Sequence, residues 1–369
     1  MIYFTFNDQP SGIYQSQVVD VLSELNLHVD KPIRLVAFIS IRNYGKNRRK
    51  IKSLYPNSII LMMFPRLNNW KMNLFQLAFV KGIKKEAIFA RGPMAFYLAN
   101  KLNSNVTYDG RGAVKAEMEE YPKMIPNKKL VHSIISAERS AVLNAKYKIA
   151  VSEKLVEYWR NEFDYRGSNH IIIPCTLTKS MVVDEEFKKE LFFKYNWGQK
   201  DIVLIYSGSI AGWQSFEKIS DLIEKWIEAQ NVKVLFLSKR NDVLEKLILK
   251  YPNNIKQEWV GHDEVGNYLS IGDYGILIRE DNVTNAVASP VKFAEYLNSG
   301  LKVLISKNIG DYSSLVEKQD LGSVIYEDII PLQNVSHIDK DRIKKFVQRT
   351  LTKKSNRNNY KQFIREVLK

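Results

Sequence analysis

A chain of 369 residues, 45% hydrophobic and 26% charged, can bury an ordinary globular core and has room for two domains, which excludes a mini-protein and a disordered chain. Its single cysteine, Cys175, excludes an intrachain disulfide and a cysteine-based zinc cluster. No window approaches the ~20 apolar residues of a bilayer span and the N-terminus does not read as a leader, so a cytoplasmic protein is expected. The formal charge of +15 is uneven: +12 on residues 1–174, −5 on 175–337 and +8 on 338–369. An anionic membrane surface at the inner face of the cell membrane would suit the basic sections; so would plain solubility.

Short β-rich runs alternate with segments of helical spacing, the pattern of an α/β protein with parallel sheets. The first half predicts strands at 2–6, 33–40, 58–64, 87–90, 106–108, 147–151 and 170–173. A helix over 13–25 carries Val18, Val21, Leu22 and Leu25 on one face, another covers 127–145, and Ser152 is placed to cap a third over 153–163. The same alternation restarts after Pro174, with strands at 202–206, 232–237, 255–260, 274–278, 302–305 and 323–326. Helices are expected between them at 216–229, 242–250, 263–269, 291–298 and 312–317, and the last section reads as one or two basic helices. The joint between the halves falls near 174–180.

Open parallel sheets bind ligands at the carboxyl ends of their strands, which directs attention to the segments after each strand. The run from Arg279 to Gly300 leaves a strand, crosses a loop and enters a helix. Ser289 is a good capping residue and Pro290 suits the first helical position, so the helix start at Val291 should present free amides and a positive dipole end to a diphosphate. Lys292 and Glu295, three apart, project together: the ammonium toward phosphate, the carboxylate toward sugar or ribose hydroxyls. A surface Lys–Glu pair on an ordinary amphipathic helix would have the same spacing.

Three further segments carry weaker signals. A strand runs into Gly208, Ser209 and Gly212, where glycine permits close backbone approach. Asp109 and Arg111, the candidate catalytic pair, flank Gly110 beyond another strand and would orient hydroxyls and anionic oxygens, or merely stiffen their own loop. Gly12 follows the first strand in Asp8-Gln-Pro-Ser-Gly, a loop whose amides are candidate phosphate ligands. The basic run from Arg42 to Lys52 would meet phosphates or acidic head groups, or stand as a solvated loop. The five histidines lack His-x-x-x-His spacing, so no metal is expected.

The run from Ser289 through Ile305, Ser-Pro-Val-Lys-Phe-Ala-Glu-Tyr-Leu-Asn-Ser-Gly-Leu-Lys-Val-Leu-Ile, resembles the donor-site signature of GT-B glycosyltransferases, particularly the retaining family 4 enzymes of bacteria. The resemblance implies two Rossmann-like doubly wound domains facing across a cleft: 1–174 for the acceptor, 175–337 for the donor, and a basic helical tail, 338–369, packing back toward the first. It implies that Glu295 contacts the donor, usually its ribose. It departs from the family at Val287, where many members carry a second glutamate, and at Ser209, where an arginine is common; Lys239, Arg240, Arg279 and Lys292 are then the candidates for meeting the diphosphate charge. The activity implied is transfer of a sugar from a UDP- or GDP-linked donor to a glycan or lipid-linked saccharide, as in capsule or O-antigen synthesis, with retention and without a metal cofactor. A nucleotide-sugar epimerase on the same fold is the alternative enzyme, and a basic nucleic-acid-binding protein the alternative class. No convincing acid–base set supports the first and no recognition motif the second, so no nucleic acid is expected.

Overall fold

The computed structural model describes residues 1–123, 125, 127–178, 184–208, 215–261 and 264–369. Seven strands, β1 (Ile2–Phe6), β2 (Arg34–Ile39), β3 (Ser58–Met62), β4 (Ile88–Arg91), β5 (Val106–Asp109), β6 (Lys148–Ala150) and β7 (His170–Ile172), form one sheet in the order β3-β2-β1-β4-β5-β6-β7. Six more, β8 (Val203–Ser207), β9 (Lys233–Leu237), β10 (Ile255–Glu258), β11 (Tyr274–Leu277), β12 (Lys302–Ser306) and β13 (Gly322–Ile325), form a second sheet in the order β10-β9-β8-β11-β12-β13. The pairings are parallel, as in β1 with β2 and β8 with β9. Near-continuous apolar strands such as Ile2–Phe6 and Val203–Ser207 are fully buried because helices cover both faces of a parallel sheet. Every strand expected from the alternation is present, to within a few residues at each end.

In both sheets the strand order reverses next to the first strand, between β1 and β4 in one and between β8 and β11 in the other. Such a reversal sends the two following connections to opposite faces and opens a crevice at the carboxyl edge, where doubly wound folds take ligands.

The chain divides into two compact units: unit 1 is Met1–Thr178 with Lys353–Lys369, and unit 2 is Lys179–Thr352. The section 338–369, read from sequence as one tail, is therefore shared. Helix His337–Thr350 belongs to unit 2, whereas Arg357–Leu368 packs on unit 1. Tyr360, Phe363, Ile364 and Val367 enter the unit 1 core, and the Phe363 ring lies 4.7 Å from that of Phe89 on β4. Lys353 fastens the returning chain: its amide donates to the Leu177 carbonyl at 2.8 Å and its ammonium to the Thr176 carbonyl at 2.7 Å. Arg357 pairs with Glu24 at 2.7 Å. The tail's basic face is outward while its apolar stripe completes the core that the first 178 residues leave open.

Local capping follows the sequence in several places. Ser152 accepts from the Leu155 amide at 3.0 Å and starts helix Glu153–Phe163. The basic run after Arg42 is not a loop but helix Tyr44–Leu54, with Ile51 buried and its cations outward. The helix beginning near Gly12 contains a π turn, Gln15–Val19, that turns the side chain of Gln17 inward.

Phe363→Ala is expected to destabilise unit 1 by about 3–5 kcal/mol, the usual cost of deleting a buried phenyl ring. Urea unfolding followed by a unit 1 tryptophan signal measures it, and a loss below about 1 kcal/mol would mean that the C-terminal helix is not an integral part of this core.

Candidate functional site

Unit 2 gathers the residues of its switch point around helix Val291–Asn298. This helix lies close to the sheet because β11 carries Gly275: a Cβ there would lie 2.2 Å from the ring of Tyr296. The Tyr296 hydroxyl, fully buried, accepts from the Ser207 amide at 2.8 Å and donates to the Ile276 carbonyl at 3.3 Å, joining the end of β8 to β11. Burial and the nearby Glu295 hold this phenol neutral, well above its ordinary range. One turn earlier, the Lys292 ammonium donates to the Ser207 hydroxyl at 2.9 Å and stands 3.3 Å from Glu295 Oε2. Glu295 is only 3% exposed, and among the described residues its Oε2 accepts no well-directed hydrogen bond. The Lys292 ammonium balances the Glu295 charge, and the carboxylate's remaining acceptor capacity can take a ligand hydroxyl.

Arg279 follows β11 and is buried; its guanidinium donates to Asn285 at 3.3 Å and its backbone is held by the Ser306 hydroxyl. Gly208 continues β8 through a bond from its amide to the Leu237 carbonyl at 3.3 Å. Lys239, beyond β9, is exposed and lies 5.3 Å from the ring centre of Trp259. Ser209 lies outside the described residues. Val287 is buried as an apolar side chain, so no carboxylate stands there.

Ser289 does not cap the helix. Pro290 occupies the cap position with extended backbone, helix begins at Val291, and the Ser289 hydroxyl instead meets the Tyr312 hydroxyl at 2.8 Å. The reason is tertiary: Phe293 stacks on Tyr312 at 4.1 Å, which brings the Tyr312 hydroxyl within reach of Ser289. Among the described residues the cap position, Pro290, contributes no side-chain bond to the amides of the helix start, which are of the kind that meet an anion.

Unit 1 has its own cavity, about 290 Å³, at the switch point between β1 and β4. Asp8, Arg91, Arg111 and Glu117 supply its charge, and Leu67, Met94, Met118 and Ile134 much of its apolar wall. Asp109 is fully buried beneath it. Its carboxylate accepts from Tyr3 at 2.9 Å and Arg111 Nη2 at 3.0 Å, with Arg91 at 3.5 Å. Asp109 is thus a positioning residue: it aims two guanidiniums that themselves face the cavity. Gln17, from the π turn, accepts from Arg111 at 3.3 Å. Burial disfavours the Arg111 cation most strongly, but Asp109, with Tyr3 and other neighbours adding to it, raises it on balance; Asp8, together with Tyr3 and Asp109, does the same for Arg91. Burial raises the carboxyls of Asp8 and Glu117, only partly opposed at Asp8 by Arg91. Balanced acids and guanidiniums of this kind recognise hydroxyl-rich ligands. Gly12 lies in the first turn of the helix after β1, behind the cap made by Ser11 to the Tyr14 amide, and does not line the cavity.

Helix Val114–Glu120, which walls the cavity, is anchored from beneath by Glu138. Its carboxyl takes the amides of Val114 and Lys115 at 2.8 and 2.6 Å. Among the described residues no group of three His, Cys, Asp or Glu side chains is placed to hold a metal ion, and no helix is long and apolar enough to cross a membrane.

No family model matches the chain, and neither does any curated protein. Solved structures do match over its whole length. Sucrose-phosphate synthase of Thermosynechococcus elongatus aligns at 12% identity and a TM-score of 0.70, covering 100% of this chain and 99% of that one. HepE of Anabaena in complex with UDP aligns equally, at 12%, 0.70, 100% and 99%. WaaG, a glycosyltransferase involved in lipopolysaccharide biosynthesis, aligns at 11% and 0.61, covering 98% and 93%. At such identities the likeness defines the fold, and the fold is that of the two-domain GT-B glycosyltransferases.

The Glu138 carboxyl is pushed up to about 8 by burial, against the lowering effect of its two amide bonds. A folded value above the unfolded one means that its stabilising contribution is full below pH ~4.5 and is lost as pH rises to about 8. Stability measured by urea unfolding between pH 5 and 8 should fall along this window, and the fall should vanish in Glu138→Gln; an equal slope in the variant would assign the pH dependence elsewhere.

Proposed function

We propose that the protein is a nucleotide-sugar-dependent glycosyltransferase, with a UDP- or GDP-linked donor held by unit 2 and a glycan or lipid-linked saccharide acceptor held by unit 1. The observation that carries this reading is the cluster of Lys292, Glu295 and Ser207 at the switch point of the second sheet, at the start of helix Val291–Asn298. HepE, a structural neighbour, has been solved with UDP and with UDP-glucose, which supports a nucleotide-sugar ligand for the same fold. WaaG's part in lipopolysaccharide biosynthesis supports a role in bacterial surface polysaccharide synthesis, at the inner face of the membrane.

In the proposed step an acceptor hydroxyl oxygen bonds to the anomeric carbon while the bond from that carbon to the diphosphate oxygen breaks. The electron pair leaves with the diphosphate, which takes the hydroxyl proton as it departs on the same face, giving retention. The amides of Val291 and Lys292 and the Lys292 ammonium meet the charge developing on the leaving group, so no metal is required. Glu295 accepts from donor hydroxyls. Ser207 and Tyr296 keep Lys292 and the helix start in place, and Arg279 adds positive potential from β11.

A thermal-shift screen with nucleoside diphosphates and nucleotide sugars should identify the donor. With that donor and an acceptor, Lys292→Ala and Glu295→Ala should each slow turnover at least about tenfold, a barrier rise of about 1.4 kcal/mol. Near-normal rates in both variants would remove the site assignment. Arg111→Ala should raise KM for acceptor about tenfold or more and leave donor KM unchanged, since Arg111 lines the unit 1 cavity; an equal effect on both constants would contradict this division.

A further inference from the structure

In unit 1 the chain passes from β3 to β4 through a 3₁₀ stretch, Leu67–Met72, and helix Asn73–Ala78. One side of this segment is core. Trp70, Asn73 and Leu77 are buried, and the Trp70 ring lies 6.3 Å from Phe6 and 5.2 Å from Tyr97. The other side carries Met72, Phe75 and Phe79, spaced three and four residues apart and therefore aligned on one face. They are 55%, 68% and 76% exposed, and the two phenyl rings pack edge-on against each other at 5.1 Å. Exposed large side chains gathered in this way are a recognition surface rather than scattered surface apolarity.

The surrounding charge is of one sign. From residue 66 to residue 85 the sequence holds Arg66, Lys71, Lys81, Lys84 and Lys85 and no acid. The next residue, Glu86, is occupied by Arg34 at 2.7 Å and by the N-terminal ammonium at 2.9 Å. Lys71 lies 5.0 Å from the ring centre of Tyr97 and Lys101 5.4 Å from it. Exposed aromatic rings on a segment rich in lysine and free of acids match the boundary between acyl chains and anionic head groups. Three side chains on about two turns are much smaller than the roughly 800 Å² that each partner contributes to a stable protein interface.

We propose that Met72, Phe75 and Phe79 enter the interfacial layer of an anionic phospholipid membrane while Lys71, Lys81, Lys84 and Lys85 contact its head groups. The proposal rests on the glycosyltransferase reading only for its purpose, bringing unit 1 to a lipid-linked acceptor; the docking itself is measured without substrates. It also moves the lipid contact away from the Arg42–Lys52 helix, whose exposed face offers cations but few large apolar side chains.

The full-length protein is sedimented with phosphatidylcholine vesicles prepared with and without phosphatidylglycerol. Binding is expected only to the anionic vesicles and should weaken with salt. Phe75→Ser/Phe79→Ser should lower the bound fraction about tenfold, and Lys84→Glu/Lys85→Glu should do likewise, each with an unchanged melting temperature. Absence of vesicle binding by the wild type, or undiminished binding by the phenylalanine variant, would overturn the proposal. So would a wild-type dimer that the phenylalanine variant dissolves, because the patch would then belong to a second copy. Vesicle binding without any sugar transfer would leave the docking intact and remove only the proposed enzymatic role.

Discussion

The seat of helix Val291–Asn298 on the second sheet is the contact from which the rest of the unit 2 site derives. Gly275 leaves room on β11 for the Tyr296 ring, and the buried Tyr296 hydroxyl then satisfies the Ser207 amide where β8 ends. Once that ring is in place, the residues one turn earlier have little freedom. Lys292 reaches Ser207 and Glu295 is drawn below the surface, both within the first turns of the helix. A side chain at 275 would lift the helix and separate these groups together, so packing and anion recognition are one constraint at this position.

Unit 1 solves a similar problem differently. Its switch point uses a buried carboxylate instead of a helix start: Asp109 holds Arg91 and Arg111 while Tyr3 and Gln17 complete the network. Ion pairs this deep are expensive to desolvate and contribute little net stability. Their return is orientation. Two planar guanidiniums are fixed at the floor of a cavity whose remaining acids, Asp8 and Glu117, are raised by burial and suited to hydroxyl contacts. The C-terminal helix Arg357–Leu368 closes the same core, which couples the last residues of the chain to the integrity of the first strand's unit.

The two sites differed in how much of them the sequence exposed. In unit 2, Lys292 and Glu295 are separated by three residues on one helix, so spacing alone places them together. In unit 1, Asp109 and Arg111 were legible as neighbours, but Asp8, Arg91 and Gln17 were not, because they come from distant segments. The register explains their meeting: Arg91 pairs with Thr5 on one side and with Asp109 on the other. Ser289 misled for the related reason that a capping residue's hydroxyl has alternatives, and Tyr312 supplied one.

By itself, the sequence determined the alternation of strands and helices, the parallel sheets, the basic helical tail and the Lys292–Glu295 pair, since these depend on periodicity and local propensity, which act over a few residues. The tertiary structure alone decided that Asp109 is a buried support, that Arg91 and Asp8 join the cavity, that the tail divides between two units, and that Phe75 and Phe79 face solvent. Those outcomes depend on strand order and register, which bring together residues up to several hundred positions apart, and on which face of a short helix the core has already claimed.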